Sequence, residues 1–177
     1  MYHKKYGRMT FSAWLNLELQ QSSLLLTVFC GAVLAALCVA VGVVTESPYR
    51  VILELGIGDL LPPVWLFVSL RFLALFTVGC AAGLMLGNRD VACRAEKYRG
   101  GMLFLLMAAT ELCWYPTLFG GRMVFLCVLE AILMLCLSIA VTACVFRISR
   151  LSGWLFLLHS FWLAYLLILT FSVFFRA

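Results

Sequence analysis

Charge is what this sequence has least of. Asp, Glu, Lys and Arg make up 12% of its 177 residues, against about 25% in an ordinary soluble domain. With 65% of the chain hydrophobic and a mean hydropathy of +1.08, a soluble globular fold is excluded. Histidine is scarcer still. Only His3 and His159 occur, so there is no cluster of His and carboxylates for a metal. No Cys-x-x-Cys occurs among the eight cysteines, and seven of them (Cys30, Cys38, Cys80, Cys113, Cys127, Cys136 and Cys144) lie within apolar segments. There a cysteine behaves as a small hydrophobe; only Cys93 sits in a polar loop. Also missing are a Ser/His/Asp set, a phosphate loop and any internal repeat. The first two absences argue against an enzyme. The third argues against a transporter built from repeated halves. His159 stands alone in mid-helix and reads as a packed or hydrogen-bonded residue rather than a base. The net charge of +5 is no sign of nucleic-acid binding, because the basic residues sit in short loops, where they set topology.

What the chain has is long apolar runs. A helix needs about 20 apolar residues to cross the hydrocarbon core. Five stretches qualify, at about 22–44, 62–86, 101–120, 123–146 and 153–175. The expected fold is all-α, an integral membrane bundle of five transmembrane helices over 22–177. Only Gly121 and Arg122 separate the third and fourth runs, which predicts a tight helical hairpin. Residues 1–21 form a tail. The apolar run after them is too long for a signal-peptide core, and no A-x-A-like cleavage site follows it. Phe11, Trp14, Leu15 and Glu18 fall on one helical face, which predicts a short interfacial helix.

The basic residues orient the bundle. Lys4, Lys5, Arg8, Arg89, Arg94, Lys97, Arg99, Arg147 and Arg150 fall on one side, and Arg50, Arg122 and Arg176 on the other. The positive-inside rule then puts the N-terminus inside and the C-terminus outside. The outer segment 45–61, "TESPYRVILELGIGDLL", is half apolar. It either folds over the mouth of the bundle as a lid or lies along the interface. Gly79, Gly83 and Gly87 recur every four residues. Such spacing lets helices approach closely, either in a homodimer through Gly79 and Gly83 or within the bundle.

Three ionisable residues remain inside the apolar runs: Arg71, Glu111 and Glu130. Each costs about 2.5–3.5 kcal/mol at a helix centre if unpaired, so each should face the interior and find a partner. Counted from the helix ends, all three lie roughly 10–15 Å below the outer surface. One reading is a structural ion pair between Arg71 and one Glu. The other is a polar floor to a pocket. Trp65 and Trp154 lie near helix ends, as interfacial anchors do. Trp114 and Trp162 lie deeper, where indole N–H groups need partners. Flat aromatic walls around a few polar groups suit a hydrophobic ligand, and ordinary core packing explains them equally.

These stretches resemble the TspO/MBR family, the tryptophan-rich sensory proteins that include the mitochondrial translocator protein. "ELCWYPTLFGGRMVFLCVLE" is similar to the family's passage from helix 3 to helix 4. "LPPVWLFVSL" is similar to the start of its helix 2, and "RISRLSGWLFLLHSFWLAYLLILT" to its passage from helix 4 to helix 5. The pattern keeps Pro62, Pro63, Trp65, Phe67, Gly79, Trp114, Phe119, Gly120, Arg122, Ser149 and Trp162. It departs where the family's helix 3 Asn is Glu111, its helix 4 Asp is Glu130, its second helix 2 Trp is Arg71 and its first-loop Trp is Val51.

The resemblance implies a flat hydrophobic ligand, porphyrin (tetrapyrrole) or sterol-like, held between the helices in a sensing or transport-linked role. Trp65, Trp114 and Trp162 would form the walls, and Arg71, Glu111 and Glu130 would set the polarity. Porphyrin or haem would then be a ligand, and no cofactor is required. Loss of the first-loop Trp argues against the porphyrin breakdown linked to some relatives. The partners implied are membrane lipid, the hydrophobic ligand and a second copy of the chain. The implied location is a bacterial cell membrane. The alternative is a small secondary transporter or channel subunit using Glu111 or Glu130 as a proton or cation site.

Overall fold

The computed structural model describes residues 10, 12, 23–44, 62–88, 94–119 and 123–176. The tail helix, the 45–61 segment and Cys93 fall outside them. Five helices are present: α1 (Leu24–Val44), α2 (Val64–Gly87), α3 (Arg94–Phe119), α4 (Val124–Val145) and α5 (Arg150–Phe174). All five are long and apolar enough to cross a membrane, and no strand occurs among the described residues. Their outward faces carry Phe29, Phe72, Leu105, Phe125 and Ile168, all exposed. Water would penalise such a surface, and lipid does not.

The helices pack side by side in the order α1, α2, α5, α4, α3, with α3 closing more lightly on α1 and α2. The core between them is built from Phe67, Val78, Met85, Met107, Met134 and Phe156, among others. One boundary moved. α3 begins at Arg94 rather than 101, two turns further into the basic loop. Its charged first turns lie beyond the apolar run yet continue the backbone hydrogen bonding. They also dock: the Lys97 ammonium donates to the Asn88 carbonyl, and the Asn88 amide donates to the Ile148 carbonyl at 3.1 Å. At the same end Ser149 caps α5, accepting from the Ser152 N–H. The Ser152 hydroxyl donates to the Ala81 carbonyl at 2.6 Å. These bonds fasten α2, α3 and the α4–α5 turn together.

At the opposite end α3 passes through Pro116 without breaking. A proline there removes one backbone donor. The Thr117 hydroxyl donates to the Cys113 carbonyl at 2.8 Å, and the Met123 N–H donates to the Thr117 carbonyl across the turn. The expected hairpin of the third and fourth helices is therefore closed by hydrogen bonds.

α1 is held almost entirely through small residues. Among its described side chains the buried positions are Thr27, Gly31 and Ala35, one per turn. A Cβ on Gly79 would lie 2.7 Å from the Gly31 Cα, and one on Gly83 would lie 2.5 Å from the Thr27 Cα. The glycine stripe is thus spent inside the bundle. A homodimer through Gly79 and Gly83 would require α1 to leave, because α1 covers both residues. We predict that Gly83→Leu, forced against α1 backbone, costs about 1–3 kcal/mol or more. Gly101→Ala, whose Cβ meets nothing within 4 Å, should be neutral or stabilising by up to about 1 kcal/mol. Melting of the detergent-solubilised variants checks this, and equal melting temperatures would contradict the packing.

Candidate functional site

The three intramembrane charges find three separate partners. The Glu111 carboxyl on α3 lies 3.2 Å from Nε2 of His159 on α5. Both residues are buried, His159 completely. The approach is off the line of a good hydrogen bond, and Nδ1 of His159 has no hydrogen-bond partner either. The Arg71 guanidinium on α2 sits over the ring of Tyr115 on α3, 3.6 Å from its centroid. That is a cation–π contact, which strengthens where water is excluded. Glu130 on α4 lies 3.4 Å from the Thr117 hydroxyl on α3, whose one proton it shares with the nearer Cys113 carbonyl. Among the described residues no ion pair joins Arg71 to either Glu, and each charge has a different contact. The reason is the helix order. α5 stands between α2 and α4, and its histidine reaches Glu111 across the interior.

The tryptophans separate as well. Trp114 is buried in the core beside Tyr115. Trp162 is also buried, wedged between Phe67 of α2 at 5.6 Å and Tyr165 at 5.5 Å. Trp65 is 69% exposed on the outer surface of α2, the position of an interfacial anchor.

A groove of about 620 Å³ runs between α2 and α5. This is within the ordinary range for a small-molecule site, about 300–1,000 Å³. From α2 it takes Leu70, Leu73, Ala74 and Thr77; from α5 it takes Leu158, His159, Phe161, Trp162 and Tyr165. Its rim (Leu70, Leu73, Leu158 and Phe161) is exposed on the lipid face, whereas His159 and Trp162 are buried. Of the six expected site residues only Trp162 borders the groove, and Glu111 stands behind it through His159. No grouping of His, Cys, Asp and Glu suited to a metal occurs among the described residues.

The model of the TspO/MBR family matches residues 29–176, from within α1 to the end of the described chain. The chain belongs to the TspO/MBR family. No curated protein and no solved structure matches it significantly. Membership supports, in general terms, a sensory or ligand-binding role for this multi-pass integral membrane protein.

Sequence reasoning missed the partnership of His159 and the flank of the groove. Leu70, Leu73, Ala74 and Thr77 carry no signal that separates them from other apolar helix residues. His159 did carry one: it is the only histidine in a membrane helix, and such a residue asks for a partner. The pair itself can be tested by a double-mutant cycle. His159→Leu alone leaves a buried carboxyl without its partner and should cost on the order of 3 kcal/mol. Adding Glu111→Leu should recover much of that loss, with a coupling of about 1–3 kcal/mol in chemical denaturation. Simple additivity of the two losses would show that the groups do not interact.

Proposed function

We propose that this TspO/MBR protein binds a flat hydrophobic ligand, porphyrin (tetrapyrrole) or sterol-like, in the groove between α2 and α5, and that binding serves sensing or transport-linked movement of that ligand. The observation that carries the reading is the groove itself. Its aromatic flank is Phe161, Trp162 and Tyr165, its apolar flank is Leu70, Leu73 and Ala74, and its rim opens on the lipid face. A hydrophobic ligand dissolved in the bilayer reaches such a site without crossing water. A tetrapyrrole brings carboxylates, which need a cation. Arg71, next to Leu70 on α2, is the candidate, at the expense of its contact with Tyr115. The charge bias of the loops supports an N-terminus inside and a C-terminus outside, and the family resemblance suggests a bacterial cell membrane as the setting. Porphyrin breakdown forms no part of the proposal.

Titration with protoporphyrin and with a fluorescent sterol, read by quenching of Trp fluorescence in nanodiscs, tests the proposal. Saturable quenching is expected for at least one of them. Ala74→Trp fills the groove and should weaken binding at least about tenfold, the equivalent of roughly 1.4 kcal/mol. Arg71→Ala should weaken only the porphyrin. Absence of saturable binding, or binding indifferent to Ala74→Trp, would sink the reading.

The second reading, a proton or cation site, is favoured by one observation. Glu111 and His159 are both titratable and lie against each other deep in a membrane bundle. It predicts pH-dependent flux in proteoliposomes that Glu111→Gln abolishes. Flux equal to that of protein-free liposomes removes it.

A further inference from the structure

The end of the bundle that carries the α4–α5 turn gathers cations that the fold does not use. Arg94, Lys97 and Arg99 of α3 stand there with Arg147 of the turn and Arg150 at the start of α5. Lys97 is spent on the Asn88 carbonyl. Arg94, Arg99 and Arg147 are exposed, and no hydrogen bond or ion pair engages them among the described residues. Glu96 is the one acid among the described residues of this end, and it forms no ion pair with them. Packing brings Arg99 and Arg147 to one level. Gly100 is buried, and a Cβ on it would lie 3.9 Å from Cβ of Cys144 and from Cγ2 of Val145 on α4. Arg99 immediately precedes that contact, and Arg147 follows Val145 within a turn. On the other side of Arg147, the carbonyl of Ile148 accepts from the Asn88 amide.

Directly along the helix from these charges the surface turns apolar. Arg99, Met102 and Leu106 fall at i, i+3 and i+7 and so form one stripe of α3, and Tyr98, Met102 and Leu105 form the stripe beside it. Tyr98, Met102, Leu105 and Leu106 are all more than half exposed. Trp154 of α5, 59% exposed and edge-on to Phe146 at 5.7 Å, stands next to Arg147 as an interfacial aromatic does. The opposite end of the bundle offers Arg176 alone as a cation among the described residues. A soluble anion would use the guanidiniums and leave the apolar stripe idle. A phospholipid uses both, because its phosphate sits over hydrocarbon in the same order. We propose that Arg99 and Arg147 form a headgroup site for an anionic phospholipid, with an acyl chain lying along Met102 and Leu106. Guanidinium matches the phosphodiester through paired N–H donors, and basic residues at a helix end attract anionic headgroups. A zwitterionic lipid brings its own cation to the same place and gains less. The bound lipid bridges α3 to the α4–α5 turn. This surface is separate from the α2–α5 groove, and the inference does not depend on what the groove binds.

The experiment uses the full chain in nanodiscs of equimolar phosphatidylglycerol and phosphatidylcholine with identical acyl chains. Native mass spectrometry of the released protein counts the lipids it retains. Phosphatidylglycerol should be retained over phosphatidylcholine by at least about tenfold. Arg99→Gln and Arg147→Gln should each lower that ratio about fivefold. Arg94→Gln removes the same charge from the same end, roughly 7.5 Å further along α3, and should lower it less than about twofold. Glycerophosphoglycerol, the headgroup without its chains, should displace no lipid. Equal retention of the two lipids would overturn the inference. So would an Arg94→Gln loss as large as that of Arg99→Gln, which would leave only diffuse positive charge at this end. Displacement by the chain-free headgroup would overturn it too, in favour of a soluble anion.

Discussion

A charge inside a bilayer has no water to turn to, so each one must be answered by the protein. In this bundle all three contacts involve a single stretch of α3. Glu111 meets His159 of α5, Tyr115 lies under Arg71 of α2, and the Thr117 hydroxyl lies 3.4 Å from a carboxyl oxygen of Glu130 on α4. α3 thereby contacts each of the other charged or titratable helices from one short segment. The same segment is braced by Phe104, which meets Phe156 of α5 edge-on across the interior. Helix order, rather than a central ion pair, is what these contacts fix. α5 is drawn inward by its histidine, and its neighbouring face, with Phe161, Trp162 and Tyr165, is left to line the gap beside α2.

The two ends of the molecule play different parts. At one end, backbone-directed bonds from Lys97, Asn88, Ser149 and Ser152 tie three segments into a fixed cap. α1 is pinned to α2 through glycine contacts too close to admit side chains. The groove lies towards the other end, lined from α2 and α5 with Pro62 just before α2, and among the described residues it is a feature of helix packing.

Much of the architecture was legible in the sequence, because lipid enforces it. Five apolar runs gave five helices at nearly the expected boundaries. The one sizeable shift, at Arg94, arose because hydropathy marks where lipid begins and not where the helix begins. Glu111 and Trp162 announced themselves as a charge and a large aromatic inside apolar runs. Their partners did not. Whether Glu111 faces α2 or α5 depends on the lateral order of the helices, which hydropathy does not encode. That is why a pairing of Arg71 with one carboxyl was only one of two readings, and why His159 at Glu111 was not foreseen. Trp65 carried two readings, anchor and wall, and only its 69% exposure separates them. The groove was illegible for a plainer reason. Leu70, Leu73 and Ala74 differ from a dozen other apolar residues only in what stands opposite them.

The central proposal is one of place: a flat hydrophobic ligand held between α2 and α5, beside His159 and Trp162. A structure of the protein solved with a heavy-atom-labelled ligand of that class tests it most directly. The account predicts ligand density in that gap. Density enclosed at the centre of the bundle, between Trp114 and Arg71 and away from α5, would contradict it.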